Sequence, residues 1–397
     1  MSLRVTIQRE VTIPNPVKLA RFASSPELGP RILFFSGGSA LRKLSRHIIR
    51  YTHNSIHLIT AFDSGGSSAV LRKAFNMLAI GDLRARLMDL ADQTLHGNPE
   101  IYQLFTHRLP MEEDNATLCH ELDRMVNGSH PLVKHVPDPL RKIIRNHLYS
   151  FQKRMPDSFE LQGASIGNLI LTGGYLENRR HPDPVIFIFS KLVEARGVVR
   201  PIVNKHMHLA ARLKNGTIVV GQHKLTGKKF QPVTDQIVSL YLVDDPKTAQ
   251  PVAVDIRIKI KELICSAELI CYPMGSFFTS IIANLLPTGV CEQIIQNKTP
   301  KVYVPNTGVD PECYGYDLAG QVRFLLNQLM DGNPDSTPGD VLNFVIVDSK
   351  NGQYAGGLDL EAVRALGVTV IDTPLISDQS TPYIDEHLLL PVLLSLV

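Results

Sequence analysis

Two stretches near the start of the chain share one design, and they constrain the fold more than any other feature. Residues 31–35, RILFF, form a short apolar run that stops at Ser36-Gly37-Gly38-Ser39, after which Leu41, Leu44, Ile48 and Ile49 recur at helical spacing. Residues 55–62, SIHLITAF, end in the same way at Asp63-Ser64-Gly65-Gly66, and a helix opens near Ser67 or Ser68. Each stretch reads as a buried strand, a glycine turn and a helix. Two consecutive βα units imply a parallel sheet, and right-handed crossovers then place both glycine loops at the carboxyl ends of their strands.

The rest of the chain extends this pattern. ELICY, followed by PMGS and FFTSIIANLL, is a third strand, glycine turn and helix, and KVYVP, LNFVIVD and VTVID supply three more apolar strands. Helices are expected near residues 318–329 and 358–366. Ile256, Ile258 and Ile260 alternate like a strand, but Ile256, Ile260, Leu263 and Ile264 also fit one helix face, and helix is the reading adopted. A helical insertion is expected at about residues 95–160, with loops at PEIYQ and NGSHPLVKHVPDP. GASIGNLILTGGYLEN and VIFIFSKLVEA read as helices. At about residues 198–225 the period changes, and Asn215-Gly216 between two strand-like segments is a strong hairpin signal. The expected fold is therefore α/β and Rossmann-like: a mainly parallel sheet flanked by helices, with a helical insertion and a small antiparallel hairpin. Residues 1–30 form an N-terminal extension and residues 31–397 the α/β domain.

Composition limits the functional classes. At 397 residues the chain exceeds the usual single-core size of about 250–300, so it holds two domains or one large core with an insertion. A net charge of +3, with no Lys/Arg run interleaved with aromatics, gives no case for nucleic acid. Cys119, Cys265, Cys271, Cys291 and Cys313 form no CxxC pair and are too sparse for a disulfide framework, which makes a reducing cytoplasm the simplest expectation. The first thirty residues carry Arg4, Arg9, Glu10, Lys18 and Arg21 without an apolar run, so neither a signal peptide nor a membrane helix is expected there. The terminal LLLPVLLSLV is ten residues long, half of what a bilayer requires, and reads as a packed terminal element.

Three strand-glycine-helix junctions in one parallel sheet converge on its carboxyl edge, where open α/β sheets bind ligands. Free backbone N–H groups and positive helix ends there favour an anion, with a nucleotide or sugar phosphate as the natural kind. Neither GxxxxGK[ST] nor GxGxxG is present, which argues against an ordinary ATPase or dehydrogenase. Asp63, at a strand end, can accept a ribose hydroxyl, hold Mg²⁺ through water or orient an attacking group, or serve only as a turn or cap residue. Asp82 can cap the helix that follows Gly81. Arg84 and Arg86, on that helix's first turn, either reach a phosphate or face solvent, with solvent preferred. Asn168 is a candidate base or ribose contact, or a buried capping residue. His206 and His208 fall on one face of an expected strand, a metal-like geometry that lacks a third ligand.

In order along the chain, FFSGGSALRKL, AFDSGGSSAVLRKAFNMLAIGDLRARLMDLAD, GASIGNLIL, YPMGSFFTSIIANLLPTGV and KVYVPNTG resemble the motif series of the CofD/YvcK family. That family contains 2-phospho-L-lactate transferase and the YvcK-type gluconeogenesis factors. The resemblance implies a Rossmann-like fold with a nucleotide over the glycine loops. In the transferase branch Mg²⁺ and a guanine-nucleotide-activated phospholactate serve transfer to a deazaflavin alcohol, and in the YvcK branch the ligand is a nucleotide sugar. Carried over by position, it places Gly37, Gly38 and Ser39 in the first loop and Asp63, Gly65, Gly66, Ser67 and Ser68 in the second. Gly81 and Asp82 match its GD pair, Asn168 its GN motif, Gly275 and Ser276 its third loop, and Asn306 the Asn after its YV strand. Two departures bear on chemistry: Ser64 stands where the family often has a second aspartate, and PMGS replaces Gly-Pro-Gly-Ser.

The leading expectation is a nucleotide-phosphate-binding transferase that moves a phosphoryl-linked group from a nucleoside-diphosphate-activated donor, with Asp63 as catalytic residue and as ligand of a candidate Mg²⁺. The rival is a non-catalytic regulator that binds a nucleotide sugar, and Ser64 favours it. The expected partner is a nucleoside diphosphate or nucleotide-linked small molecule, with neither nucleic acid nor membrane. Homo-oligomerisation is expected.

Overall fold

A computed structural model describes residues 10–92, 97–227 and 232–397. Its strands are β1 (Ile32–Ser36), β2 (Ile56–Ile59), β3 (Val198–Pro201), β4 (His208–Leu213), β5 (Ile218–Val220), β6 (Ile237–Val243), β7 (Leu269–Tyr272), β8 (Lys301–Tyr303), β9 (Phe344–Val347) and β10 (Thr369–Asp372). Seven of them form one sheet in the order β10-β9-β8-β7-β1-β2-β3, and every neighbouring pair is parallel. β1, β2, β7 and β8 are buried throughout. Helices cover both faces of such strands, so the sequence has no polar side to alternate with and reads as uninterrupted apolar runs. The Rossmann-like α/β expectation holds.

From β1 the sheet grows one way through β2 and β3 and the other way through β7 to β10. Winding therefore reverses between β1 and β7, and in an open α/β sheet that reversal opens a crevice beyond the strands' carboxyl ends.

Two strand assignments change. Val198–Pro201, expected in the hairpin, instead pairs with β2 in the register Ile56↔Val198 and forms the edge of the parallel sheet. Four residues are too few to show a period, and a long-range partner decides their place. The hairpin itself is present: β4 and β5 are antiparallel around Asn215-Gly216, with Gly216 at φ +88°. β6 joins the other side of β4, which makes a three-stranded sheet.

Among the helices are α1 (Pro16–Ser24), α2 (Arg42–Ile48), α3 (Gly66–Phe75), α4 (Gly81–Asp89), α5 (Pro99–Thr106), α6 (Asn115–Asn127), α7 (Pro131–Lys134), α8 (Leu140–Arg154), α9 (Ile166–Glu177), α10 (Pro182–Leu192), α11 (Gln222–Leu225) and α12 (Ile258–Cys265). The helical insertion is α5 to α8, and its expected beginning at residue 95 lies outside the described residues. PEIYQ is not a loop. Pro99 sits in the opening turn of α5, where its missing N–H costs nothing, and Ile101, Leu104 and Phe105 bury one face. NGSHPLVKHVPDP likewise contains the helical turn α7.

The insertion packs on α9, most of which is buried. Gly173 permits that approach: a Cβ there would lie 1.8 Å from the carbonyl oxygen of His147 on α8, so no other residue fits. α12 is helical, as chosen. Ile260 and Ile264 are buried while Ile258 is 74% exposed, which a strand placing Ile256, Ile258 and Ile260 on one face would not allow. The terminal LLLPVLLSLV lies in a helix, Glu386–Ser395, that packs against α1 and α2. Among the described residues no helix is long and apolar enough to cross a membrane.

Candidate functional site

The loops leaving β1, β2 and β7 open on one cleft of about 420 Å³ at the reversal between β1 and β7. Gly37, Gly38 and Ser39 line it from the first loop, Asp63, Gly65, Gly66, Ser67 and Ser68 from the second, and Gly275 and Ser276 from the third. α4 adds Gly81, Asp82 and Arg84, and α9 adds Asn168. Of the residues that the family resemblance placed at the site, Asn306 alone is not on the wall. It stands behind the third loop, where its Oδ1 accepts from Gly275 N at 2.8 Å and its Nδ2 donates to Gly275 O at 2.6 Å.

The first loop is held from beneath by Arg86. This side chain is 1% exposed and donates to Gly37 O at 3.1 Å, Gly38 O at 2.9 Å and Ser45 Oγ at 2.6 Å. Burial lowers its pKa to about 10, against the opposing pull of Asp89 and Asp82. The solvent-facing expectation for Arg86 is therefore wrong: a helix does place residue 86 inward, but only the tertiary fold supplies carbonyls there that need a donor. Asp82 does not cap α4 either, because the helix already begins at Gly81 and Asp82 lies inside its first turn. Its carboxylate lies against the first loop, where a Cβ on Gly38 would come within 2.6 Å of Oδ1. Glycine at 38 thus serves a close approach as well as a turn.

The second loop carries the helix end open to an anion. Asp63 Oδ1 accepts from Gly65 N at 2.9 Å and fixes the turn, while α3 starts at Gly66 with no capping side chain. Its first-turn amides face a space in which a Cβ on Gly66 would meet nothing within 4 Å. The serine hydroxyls are engaged within the protein: Ser67 Oγ accepts from Asn168 Nδ2 at 3.0 Å, and Ser68 Oγ from Gly81 N at 3.1 Å. They tie α9 and α4 to α3. Ser64 pairs its Oγ with His223 Nδ1 at 2.7 Å, and its N–H reaches Gln222 Oε1 at 3.4 Å. α11, at the end of β5, thus docks on the second loop and brings Gln222 and His223 to the cleft wall. Nothing in the sequence signalled these two residues.

The third junction differs from the expectation that all three offer a helix dipole to the ligand. Behind Gly275-Ser276 comes a π-helical segment, Phe277–Ile282, two of whose amides are taken by carboxyl groups of this chain. Phe277 N donates to Asp310 Oδ2 and Thr279 N to Glu312 Oε2, both at 2.8 Å. Glu312 is 1% exposed, and burial followed by the charge of Asp310 raises its pKa to about 8. The third loop can therefore give shape to the cleft, but α3 supplies the free helix end.

His206 precedes β4 and His208 begins it; their rings lie 4.8 Å apart, and burial, followed by Arg72, lowers both pKa values to about 4. Among the described residues no third ligand joins them, and the three-ligand cluster that does occur, Asp385, Glu386 and His387, is not on the cleft wall. The carboxylates on the wall are Asp63 and Asp82. One or two carboxylates are a donor set that suits Mg²⁺, which commonly takes its remaining ligands from a bound phosphate and water.

A family model described as 2-phospho-L-lactate transferase CofD matches residues 32–376, from the first residue of β1 to just beyond β10. The chain belongs to the CofD family. Among CofD-family relatives, a protein named gluconeogenesis factor from Halalkalibacterium halodurans is 27% identical over 365 residues, covering 88% of this chain and 90% of that one. Another protein of that name, from Bacillus subtilis, is 24% identical, covering 88% of this chain and 92% of its own length. The crystal structure of a UPF0052-family protein from Bacillus halodurans superposes with a TM-score of 0.66 at 23% identity, over 92% of this chain and 99% of that one, which shows the shared fold.

Proposed function

We propose that this CofD-family protein binds a nucleoside diphosphate, or a small molecule linked to one, with its phosphates over the first and second glycine loops. The observation that carries the reading is the uncapped N-terminus of α3, opening on the cleft at Gly66, where a Cβ would meet nothing within 4 Å. At residue 66 nothing bulkier than hydrogen projects into that space, so phosphate oxygens can approach the first-turn amides of α3. Asp63 and Asp82 are the residues that would hold Mg²⁺ if the ligand brings it, and the metal would neutralise phosphate charge.

A binding and regulatory role is supported by Ser64. Where a second aspartate would serve a metal, this chain has a hydroxyl already engaged by His223. The relatives' name, gluconeogenesis factor, points the same way. Group transfer from an activated donor is the second reading, favoured by the pair Asp63 and Asp82 beside the phosphate loops, since positioning and electrostatics suffice to assist departure of a diphosphate.

The test is titration of the purified protein with uridine and guanosine diphosphates and their sugar conjugates, with and without Mg²⁺, followed by product analysis. Saturable binding without product supports the regulator, and Mg²⁺-dependent turnover supports the transferase. A ligand at a hundred times its Kd stabilises the fold by about 2.7 kcal/mol, so absence of any shift at millimolar ligand refutes both.

A further inference from the structure

Three side chains of one segment take three alternate amides of another. Asn306 accepts from Gly275 N, Asp310 from Phe277 N and Glu312 from Thr279 N, each at 2.8 Å. Residues 275–279 run from the third loop into the π-helical segment, whose entry amides have no acceptor within the helix itself. The turn that carries the two acids is also fixed, because Glu312 N donates to Asp310 Oδ1 at 3.1 Å. Thr279 Oγ1 adds a second bond to Glu312, donating to Oε1 at 2.5 Å. Asp310, Glu312 and Thr279 are all buried. Two acids in one buried turn are an unfavourable choice where stability is the only requirement, since burying a charge is costly.

The segment they hold reaches the cleft. A π-helical turn carries one residue more than an α-helical one, and this one puts Ser280 and Ile281 on the cleft wall beside Gly275 and Ser276. It also meets the first loop. A Cβ on Gly37 would lie 2.4 Å from Ser280 Oγ. Asn284, fully buried, donates from Nδ2 to Ser280 O at 2.7 Å and to Ser36 O, at the end of β1, at 3.2 Å. A displacement of Thr279 is therefore passed to Ser280, its neighbour in the chain, and from there to the first loop directly and through Asn284.

We propose that Asp310 and Glu312, neither of which lines the cleft, are positioning residues for the diphosphate: they hold the third loop and, through Ser280 and Asn284, the first loop in the shape that receives it. This inference rests on the proposed diphosphate reading and adds a determinant of affinity outside the cleft. The same arrangement ties that shape to pH. The ionisable groups around Glu312 are Asp310 and Cys313 in its own turn, Tyr316 after it, and Tyr303 on β8, which faces Asp310 and Cys313. The π-helical segment, FFTSII, brings no ionisable side chain. Losing the proton of Glu312 buries a second negative charge beside Asp310, so the clamp holds best while Glu312 is protonated.

The experiment compares the wild type with Glu312→Ala, Glu312→Gln and Thr279→Val in calorimetric titration with UDP and GDP, and in hydrogen–deuterium exchange without ligand. Titrations are run at about pH 6.5 and about pH 8.5, either side of the value to which burial and Asp310 raise Glu312. For the diphosphate that the wild type binds, Glu312→Ala should weaken affinity about tenfold, and Thr279→Val, which loses the hydroxyl but keeps the amide, about threefold. Glu312→Gln keeps an acceptor for Thr279 N and cannot ionise. It should match the wild type at the lower pH and bind more tightly than the wild type at the higher. Exchange in Glu312→Ala and Thr279→Val should rise at residues 275–282 and in the first loop and stay unchanged in α6 and α8. Should Glu312→Ala fail to fold, Thr279→Val and Glu312→Gln carry the same comparison. Wild-type affinity in Glu312→Ala and Thr279→Val, or equal losses in Glu312→Ala and Glu312→Gln, overturns the positioning role and leaves the diphosphate reading standing. Weaker binding with exchange rising throughout the chain also overturns it, since general destabilisation would then be the cause. If the wild type binds neither diphosphate, the underlying reading fails and the positioning role with it.

Discussion

Asn306 grips Gly275 with both ends of its amide, accepting from Gly275 N at 2.8 Å and donating to Gly275 O at 2.6 Å. Two loops thirty-one residues apart are thereby locked into one rim, and Gly275 is held at φ +151°, a conformation that side chains disfavour. Asn306→Ala should cost about 1–2 kcal/mol of stability, from two lost hydrogen bonds, and loosen the third wall of the cleft. Ligand affinity in calorimetry should fall about tenfold as that wall loses its position. Gly275→Ala, whose Cβ would meet only Ala40 at 3.6 Å, tests the φ constraint separately and should cost about 1–2 kcal/mol through strain.

Arg86 is expected to be a stability residue. Arg86→Met removes the donor to two loop carbonyls and a hydroxyl in a buried setting, and should cost about 3 kcal/mol in urea denaturation. Arg86→Lys should recover only part of this, because a single ammonium cannot span the same three acceptors as a planar fork. A loss below about 1 kcal/mol in Arg86→Met would show that the first loop does not depend on this support.

Asp63→Asn keeps an acceptor for Gly65 N and removes the charge. If the carboxylate meets the ligand or its Mg²⁺, affinity should fall about ten- to hundredfold, corresponding to about 1.5–3 kcal/mol, and Mg²⁺ should cease to matter. Normal binding with unchanged Mg²⁺ dependence would reduce Asp63 to the turn residue its bond to Gly65 already makes it.

Glu312 gives a pH dependence of defined sign. Burial, and then Asp310, raise its pKa from 4.5 to about 8. Between these values the unfolded chain has released the proton and the folded protein retains it. Stability from this group is therefore complete below about pH 4.5 and is lost as pH rises toward 8. Denaturation across pH 5 to 8 should show the decline, and Glu312→Gln should flatten it.

The glycine loops are legible because each is announced locally. An apolar run, a glycine pair and a helical period within about fifteen residues suffice for a βα unit, so the pattern alone puts Gly37, Gly65 and Gly275 on one edge of the sheet. The site's partners are less legible. Arg84 and Arg86 look alike in GDLRARL, yet one supports a loop from below and the other lies on the cleft wall without an ion pair among the described residues. A helix wheel gives their directions, but it does not say what waits there. PEIYQ reads as a loop because its helix is only eight residues long and opens on a proline.

The sequence by itself determined the parallel sheet, the helix behind each of the first two glycine turns and the hairpin at Asn215-Gly216, since all of these follow from periods and turn chemistry that act over neighbouring residues. The tertiary structure alone decided which helix end is left without a capping side chain and which carboxyl groups close the other. Asp310 and Glu312 reach the segment behind the third loop from thirty-three residues away, and His223 reaches Ser64 from 159. Hydrogen bonds of that span leave no repeating trace along the chain. They arise only after the crossovers have fixed where each loop arrives, and a buried polar group then takes whichever partner the packing has put within its reach.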